Sequence, residues 1–522
     1  MPMRRPIVIV YLVSMIASAF LAYLIIGKDL LPKTNNGQLQ LRIREPQGTR
    51  LEVTERNTRA ILKIIDATVN GHVAISSAYG LVPSSFGSSN LYIFNSGTHE
   101  SVIQVNLEEG YSVKMEELKE KLRKNILDKF PQILLSFEPI ELTEKIMAQG
   151  ASTPIEVRIA GKNMQDIESY STALLNKLRS LKFLRDVQIA QPLRMPTVQI
   201  QIDRSRLSLM GLSLDNIARS ITDVTSSSRF TNKNLWLDSK SAYTYQTQVE
   251  VPEYNMNSVE QLRSVPLVSG QMRPVLADIA DISLDSLPGE YDRSGPRRYV
   301  TVGANIYGTD LGRATKAVQE AINGLGKPPT GLIADIRGIS SLLTETLASL
   351  QSGLIAAIVV ILLLLAANYQ SFGLSISVLA TVPAVVLGSL LVLLATGSTL
   401  NLQSYMGIIM STGVSVANAI LIVTNAESLR LSYKDPFRAA AMAASIRLRP
   451  ILMTSLAMIA GMVPMAIGFG EAGDQSAPLG RAVIGGLLAS TGAALFIVPL
   501  VYGWIMQNAG FKTNSLLEED EN

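Results

Sequence analysis

The 522-residue chain has no cysteine and only two histidines, His72 and His99. Disulfides, thiolate metal sites, a cysteine nucleophile and a histidine-rich metal centre are therefore excluded. Charged residues make up only 17% of the sequence, and the formal net charge of +3 provides no strongly basic surface for nucleic acid. We find no nucleophile–base–acid set, metal motif or phosphate loop, so the sequence predicts neither an enzyme nor a bound cofactor.

Apolar residues, by contrast, reach 47% and are concentrated in runs long enough to cross a bilayer. The first run, 6–26, follows Arg4 and Arg5. We interpret it as an uncleaved transmembrane helix, because no small-residue cleavage site follows it. Five further spans are predicted at 350–367, 372–396, 402–424, 450–469 and 482–506.

Six spans place both termini on the same side of the membrane. That side collects most of the basic residues near the span ends, which are Arg4, Arg5, Arg430, Lys434, Arg438, Arg447, Arg449 and Lys512. By the positive-inside rule, both termini are predicted to be cytoplasmic and 27–340 to be one large extracytoplasmic insert.

The insert begins with strand and helix patterns in the order β-α-β-β-α-β, which is typical of a ferredoxin-like unit. A second such unit is predicted to begin with a strand at 154–161 and to include a strand at 197–203. The segment 226–285, rich in Ser, Asn and Pro, is interpreted as an insertion into this second unit, which then closes by residue 338.

The predicted fold class is an α+β polytopic membrane protein with two ferredoxin-like units, an inserted docking subdomain and six transmembrane helices. Its predicted divisions are the first transmembrane helix 1–27, a first porter-like unit 28–150, a second porter-like unit in two parts 151–225 and 286–338, the inserted subdomain 226–285, a five-helix bundle 339–508 and an acidic cytoplasmic tail 509–522.

The membrane segments carry a specific combination of motifs. They are ANYQSF at 367–372, TLNLQSYMGIIMSTGVSVANAILIVTNAE at 399–427, RLRPILMTSLAMIAGMVPMAIGFG at 447–470 and LGRAVIGGLLAST at 479–491. The insert adds GQLQLRIREPQGTR at 37–50 and GTDLGRATKAV at 308–318. In this order the chain resembles the resistance-nodulation-division (RND) family of bacterial efflux permeases, and in particular the second half of such a permease.

The resemblance implies a half-size permease subunit in a bacterial inner membrane, either natural or the product of a divided gene. It would export amphiphilic compounds from the periplasm or inner membrane, with energy from a proton gradient supplied through a partner half. The implied partners are a complementary first-half RND subunit, a periplasmic adaptor protein and an outer-membrane channel, in a trimeric arrangement. No nucleic-acid partner is expected.

The resemblance also implies residues of a proton relay. Asn418 matches the asparagine beside the family's relay lysine, whose own position is occupied by Ala417. Arg447 and Thr454 match the relay arginine and threonine, and they share one helical face if the helix continues through Pro450. An anchor at the lipid headgroups remains the alternative for Arg447.

Polar residues in the predicted fourth span have a second interpretation. Ser411, Ser415 and Asn418 are spaced four and three apart, so they share a face. Hydrogen bonding between helices, which is common for Ser and Asn in membrane bundles, would explain them without a role in transport.

A proton-driven pump needs a titratable group within the membrane. The six predicted spans contain no Asp, Glu, Lys or His well inside, and Glu427 and Asp435 are assigned to a cytoplasmic loop. We therefore expect that this chain alone cannot couple protons to export, and that a partner half brings the carboxylates.

The sequence is compatible with more than one substrate and role. Met147 could be a thioether ligand in a Cu/Ag-type metal exporter, but 223–234 contains Phe230 and no methionine, so no metal site is predicted. The aromatic residues Phe230, Trp236, Tyr243 and Tyr245 are assigned to subunit docking. The chain could also be a non-pumping structural or regulatory half that completes a permease, or a protein-export accessory.

Overall fold

The computed structural model describes residues 4–32, 37–80, 95–108, 113–140, 142–267, 274–468 and 473–507. The predicted acidic tail 509–522 lies outside the described residues. The chain divides into two compact units, of which the first contains Met1–Ala190 and Tyr291–Asn522 and the second contains Gln191–Glu290.

The described helices are α1 (Arg4–Ile25), α2 (Leu51–Thr68), α3 (Met115–Lys129), α4 (Leu142–Met147), α5 (Met164–Arg179), α6 (Arg204–Leu209), α7 (Leu214–Thr225), α8 (Val259–Arg263), α9 (Leu276–Ile279), α10 (Leu311–Asn323), α11 (Ile339–Tyr369), α12 (Phe372–Leu379), α13 (Val382–Ala395), α14 (Leu402–Tyr433), α15 (Pro436–Ile467), α16 (Gly473–Gly492) and α17 (Val498–Met506). A π-helical segment, Ala493–Ile497, joins α16 to α17.

The described strands are β1 (Gln38–Arg44), β2 (Val73–Tyr79), β3 (Glu100–Leu107), β4 (Leu134–Glu138), β5 (Ile155–Gly161), β6 (Leu184–Ile189), β7 (Met195–Ile202), β8 (Asn234–Leu237), β9 (Thr244–Thr247), β10 (Ala280–Leu287), β11 (Asp292–Ser294), β12 (Arg297–Ile306) and β13 (Ile333–Arg337).

The first sheet has the antiparallel order β2-β3-β1-β4. Apolar side chains of β1 and β3, including Leu41 and Ile103, alternate with polar ones and face α2 and α3. Helices α2 and α3 contribute Ile61, Leu122 and other apolar residues, spaced three or four apart, to the same core. The alternation in the strands and the helical spacing in α2 and α3 therefore explain why these helices cover this sheet.

The second sheet repeats this order with an interruption. Strand β12 pairs with β6 and with β5, and β5 pairs in turn with β13, so the order is β6-β12-β5-β13, with β11 added beside β12. The chain leaves the sheet after β6 and returns at β11. The polar stretch between these strands is the second compact unit.

The second unit places the strand expected at 197–203 differently from the sequence prediction. Strand β7 pairs over eight positions with β10 in a separate two-stranded sheet, not with the second porter-like sheet. The inner side chains of both strands, such as Ile200 and Ile282, pack in a cluster with Ile217 and Leu276, which explains this pairing. The limits 226–285 of a docking subdomain stay a prediction. The second compact unit, Gln191–Glu290, is longer than this segment.

Among the residues that the structure describes, six helical segments are long and apolar enough to span a membrane. The fourth, α14, continues to Tyr433, well past the predicted end at 424. The fifth, α15, begins with Asp435 as its N-cap and runs unbroken through Pro450, where hydropathy alone placed the start of the span. Pro436 in the first turn fits because a helix needs no backbone donor there.

Glycines allow the third and sixth spans to touch backbone to backbone. A Cβ atom on Gly485 of α16 would overlap the carbonyl oxygen of Gly388 on α13 and would lie 2.9 Å from Cβ of Val392. A Cβ atom on Gly388 would in turn overlap the carbonyl oxygen of Gly485. Small residues permit such close helix approach in membranes.

A joint links the end of α1 to α10 and α14. The backbone N–H of Lys28 donates to Oδ2 of Asp310 (3.0 Å), and that of Leu311 donates to Oδ1 of Asp29 (2.9 Å). The N–H of Asp29 donates to the carbonyl oxygen of Leu400 (3.1 Å), two residues before α14. The carboxylates of Asp29 and Asp310 thus each accept a hydrogen bond from the backbone of the other's segment. These bonds connect the end of α1 to the start of α10.

Candidate functional site

A cleft of about 230 Å³ opens beside the first and second sheets. Its lining is partly apolar, with partly exposed Leu31, Pro139 and Ile306, and partly charged, with side chains of α3, β4 and α4. The charged residues of the lining are Glu116, Lys119, Glu120, Arg123, Glu138 and Glu144. Met147 also lines the cleft. The cleft therefore offers both apolar contact and charge to a ligand.

Arg123, which lines this cleft, forms a bidentate ion pair. Nε and Nη2 of Arg123 on α3 donate to the two carboxylate oxygens of Asp186 on β6, at 2.7 and 2.8 Å. Asn305 of β12 donates to Asp186 (2.9 Å) and to the carbonyl oxygen of Phe137 (2.9 Å). Burial lowers the pKa of Arg123, but Asp186 outweighs it and raises that pKa above its ordinary value. The pair joins the first sheet to the second.

A second charged group includes Glu138, which also lines the cleft. Arg42 of β1 donates to Glu138 (2.5 Å) and to Glu100 (3.3 Å), and Arg44 donates to Glu100 (2.7 Å). Burial raises the pKa of Glu100, but Arg44 and Arg42 outweigh it and hold that pKa below its ordinary value. Glu138 of the cleft lining and Glu100 beside it are thus held in ion pairs.

Breaking the Arg123–Asp186 pair should loosen the contact between the first and second sheets. We expect Asp186→Asn to cost about 1–2 kcal/mol of unfolding free energy, because it weakens charge-assisted bonds to a guanidinium that Glu120 still neutralises. Hydrogen exchange should rise in β6 and α3. The matched control is Asp335→Asn, which alters an exposed pair with Arg337 and should change stability by less than about 0.5 kcal/mol. Equal exchange in both variants would contradict the prediction.

The polar residues of the fourth span lie on a buried face of α14. Ser411, Ser415 and Asn418 are all at most 9% exposed. Ser411 donates to the carbonyl oxygen of Ile408 (3.0 Å) and lies against Gly486 of the sixth span. The Ser415 hydroxyl is buried and has no hydrogen-bond partner among the described residues. The face is buried against neighbouring helices, but among the described residues Ser411 bonds within its own helix and no hydrogen bond joins Ser415 or Asn418 to another helix, so hydrogen bonding between helices stays a prediction.

The relay-like residues are only partly assembled. Arg447 and Thr454 do share the continuous helix α15, and the Thr454 hydroxyl donates to the carbonyl oxygen of Ile451 (3.1 Å). Within the described part of the chain, no hydrogen bond or ion pair joins either residue to Asn418. Thr454 and Ala417 are exposed, and Nε of Arg447 is buried without a hydrogen-bond partner.

A buried charged cluster lies at the far end of the bundle from the joint. Glu427 and Arg430 of α14 are 3% and 1% exposed. Arg430 donates to Oε1 of Glu427 (2.8 Å), and the Tyr502 hydroxyl of α17 donates to Oε2 (2.5 Å). The assignment of Glu427 to a loop is therefore wrong, because α14 continues for two more turns and buries this carboxylate against the sixth span.

Three predicted docking aromatics, Trp236, Tyr243 and Tyr245, lie on a hairpin of the second unit, and Phe230 lies in a short 3-10 turn before it. Strands β8 and β9 pair Trp236 with Tyr245, whose ring centroids are 5.9 Å apart. These two side chains, together with Phe230 and Tyr243, are more than half exposed. Exposed aromatics on a two-stranded arm are typical of an interface, so the structure leaves their docking role as a hypothesis.

Comparison with known proteins decides the family. Residues 1–506 match the AcrB/AcrD/AcrF family. The chain belongs to this family of RND permeases. It is 26% identical over 375 residues to the cobalt-zinc-cadmium resistance protein CzcA of Cupriavidus metallidurans, covering 70% of this chain and 34% of CzcA. It is 27% identical over 366 residues to the swarming motility protein SwrC of Bacillus subtilis, covering 69% of this chain and 34% of SwrC.

The RND fold is also found in a solved structure. The crystal structure of a heavy metal efflux pump matches with a TM-score of 0.82 at 22% identity, covering 97% of this chain and 51% of that one. The chain thus spans about a third of the curated relatives it matches and half of the solved chain. The family and six apolar helices make the protein a multi-pass inner-membrane protein with mixed α and β content.

This member of the RND permease family contains a charged cluster that hydropathy and motifs did not predict. Glu427 and Arg430 are three residues apart, a spacing that favours a helical ion pair. Treating the span as finished at 424 placed both residues in a loop. The partner Tyr502 is 75 positions away in sequence, and only the tertiary structure reveals it.

Proposed function

We propose that this RND permease half moves amphiphilic compounds through the cleft beside Arg123. The observation that carries the proposal is the composition of the cleft, in which apolar residues such as Leu31 and Ile306 line the same space as ion-paired side chains. An amphiphile can place its apolar body against the former and its polar group against the latter. We propose no enzymatic step and no cofactor for this transport.

We propose that a complementary first half completes the membrane bundle. Ala417 and Thr454 are exposed on the fourth and fifth spans, and Gly413 and Gly461 also face open space. Nε of Arg447 is a buried donor that a carboxylate from a partner would satisfy. These features support a neighbour that supplies aspartates and the main proton chemistry, while Asn418, Arg447 and Thr454 adjust it.

The larger assembly is likewise a proposal. We place the β-rich units in the periplasm and both termini in the cytoplasm, following the charge bias of the span ends. The strand order β2-β3-β1-β4, which recurs in the second sheet as β6-β12-β5-β13, supports two ferredoxin-like units. The exposed aromatic hairpin would dock neighbouring subunits in a trimer that works with a periplasmic adaptor and an outer-membrane channel.

Metal-ion export is the second candidate, and one observation favours it. Met147 lines the cleft among Glu116, Glu120 and Glu144, so a thioether and carboxylates are exposed to the same space. Thioethers suit Cu(I), and carboxylates suit harder cations. The names of CzcA and of the heavy metal efflux pump agree with this candidate.

The substitution Met147→Leu separates the two candidates. Leucine keeps the apolar volume and removes the sulfur, so amphiphile export should be unchanged within about twofold, whereas a Cu(I) route through Met147 should lose at least about tenfold. The measurement is survival of a pump-deficient host that carries the chain and a first-half subunit, challenged with amphiphilic dyes or with copper.

The control is Met442→Leu, which changes a methionine on α15 outside the cleft. Dye resistance that survives Met147→Leu but falls after Ile306→Ala, a change to a partly exposed residue of the cleft lining, would support the amphiphile proposal. Copper resistance lost only in Met147→Leu would replace it with metal export. Resistance to neither compound in the unaltered chain would contradict both.

A further inference from the structure

We propose that a cavity at the joint between α1, α10 and α14 binds a phosphoethanolamine group, carried by a phospholipid of the surrounding bilayer. The cavity measures about 450 Å³, which lies within the range of roughly 300–1,000 Å³ usual for ligand sites. It adjoins the cleft beside Arg123 and shares Asp29, Pro32 and Thr309 with it. The site is independent of the compound that the cleft would export.

The cavity lies at one end of the membrane bundle, where several spans begin or end. Its lining comes from 27–32 directly after the first span, from 397–401 between the third and fourth spans, and from 474–481 at the start of the sixth. Span ends lie at the level of the lipid headgroups. Ile25 and Ile467, which end the first and fifth spans, are exposed apolar residues beside which an acyl chain could run.

Charged side chains of both signs line this cavity. The carboxylates are those of Asp29, Asp310 and Asp474, and the guanidinium groups are those of Arg313 and Arg481. Among the described residues of the lining, the others are glycine, proline, alanine and neutral polar residues. A ligand with a single charge would meet repulsion from one set, whereas a zwitterion can satisfy both sets.

Part of this charge already serves the joint. Asp310 accepts a hydrogen bond from the backbone N–H of Lys28 (3.0 Å) and forms an ion pair with Arg313 (3.3 Å). Asp29 accepts a hydrogen bond from the backbone N–H of Leu311 (2.9 Å). These groups hold the segments that form the cavity, so the cavity is built before a ligand enters.

Other polar groups keep bonding capacity for a ligand. Arg481 donates through Nε to the carbonyl oxygen of Ala466 (2.9 Å) and through Nη1 to the hydroxyl of Ser398 (2.7 Å), which leaves Nη2 without a partner among the described residues. Asn401 is 0% exposed, and its Nδ2 is a buried donor with no hydrogen-bond partner in the described part of the chain. Buried donors without partners are costly, so a ligand that accepts from them is favoured.

The acceptor for the other end of the ligand is Asp474. Its carboxylate is exposed and forms no hydrogen bond or ion pair with the residues that the structure describes. Asp474 and Arg481 are seven positions apart on α16, so they share one face. Both lie against the end of α15, because Arg481 binds Ala466 and a Cβ atom on Gly468 would lie 3.2 Å from Oδ1 of Asp474.

These donors and this acceptor specify the headgroup. Arginine is well suited to phosphate, so Arg481 and the amide of Asn401 would bind the phosphate. An ammonium group has three N–H donors and would bind Asp474. A choline group has no such donor and a glycerol group has no positive charge, so phosphatidylethanolamine should be preferred over phosphatidylcholine and phosphatidylglycerol.

The test measures lipid binding and does not require transport. Short-chain forms of the three phospholipids are titrated into the delipidated chain in detergent, and bound lipid is counted by native mass spectrometry. The unaltered chain should bind phosphatidylethanolamine at least about tenfold more tightly than the other two, the size expected for one bond to a charged group. Asp474→Asn should remove most of this preference, and Arg481→Gln should weaken the binding of all three.

The matched controls change the same residue types outside the cavity. Asp335→Asn alters an exposed pair with Arg337, and Arg438→Gln alters an exposed pair with Asp435. Both should leave all three affinities within about twofold, since surface ion pairs contribute little. If Arg481→Gln does not fold, Asp474→Asn still decides the matter, because Asp474 has no partner to lose among the described residues.

A competition experiment identifies the source of the headgroup. Free O-phosphoethanolamine should displace the lipid only at concentrations far above those of the lipid itself. Displacement at equal concentration would retain the headgroup site but overturn the lipid as its source.

Two results would overturn the site itself. One is equal binding of the three phospholipids by the unaltered chain, and the other is a preference that Asp474→Asn leaves unchanged. Both are independent of export, so they would leave the proposed function intact, and a chain that binds the lipid but exports no dye would contradict only the proposed function.

Discussion

Replacing Arg430 with alanine is expected to be among the most destabilising single changes in the membrane bundle. The variant Arg430→Ala leaves Glu427 buried and charged, with the Tyr502 hydroxyl still donating to it. Removal of one partner of a buried ion pair typically costs about 3–5 kcal/mol. We expect a loss of this size, measured by steric trapping in bilayers or by reversible unfolding in detergent.

The matched control is Arg438→Ala at the same end of the bundle. Arg438 is 81% exposed and is 3.7 Å from Asp435, so its loss should cost less than about 1 kcal/mol. Replacing both members of the buried pair, by Glu427→Gln with Arg430→Met, should recover most of the stability because no buried charge remains. If Arg430→Ala lowered the free energy of unfolding by no more than Arg438→Ala does, the Glu427–Arg430 pair would be effectively solvated.

The second large effect concerns the backbone contact between the third and sixth spans. Gly485→Ala adds a Cβ atom that overlaps the carbonyl oxygen of Gly388 and lies 2.9 Å from Cβ of Val392. Neither neighbour can rotate away as a flexible side chain could. We expect a loss of about 2–3 kcal/mol, because two helices must separate along their contact.

The same substitution at Gly461 provides the control. A Cβ atom at Gly461 would meet nothing within 4 Å, and alanine favours helix more than glycine by up to about 1 kcal/mol. Gly461→Ala should therefore be neutral or slightly stabilising in the isolated chain. The informative quantity is the difference in sign between the two variants. A similar loss in both would mean that helix packing around Gly485 relaxes freely.

Local patterns predicted the first sheet well. The alternation of VAISSAY predicts a strand at 73–79, which is the range of β2, and the helical stripe of MEELKEKLRKNILDKF predicts a helix at 115–130, which differs from α3 by a single residue. Both segments have strong alternation or a helical stripe, and both pack on neighbours close in sequence. The Asp435 cap was also predictable, since Asp followed by Pro and an apolar helix satisfies the first backbone donors.

Long-range pairing explains what the sequence could not show. Strand β7 resembles any alternating strand, and only its contacts decide that it pairs with β10, about 85 positions later, instead of with β12. Glu427 was missed for a related reason. Hydropathy ends a span where charge begins, but a carboxylate can remain inside a bundle when Arg430 and Tyr502 bind it.

The joint between α1, α10 and α14 also constrains the order of biogenesis. Lys28 and Asp310 are separated by 282 positions. At about 5–20 residues per second, the ribosome needs on the order of 15–55 s to make the second after the first. Leu400, the third member, follows later still. The first helix is therefore made long before its anchor, and its attachment to α10 and α14 is a late event of biogenesis that follows synthesis of residues 29–400.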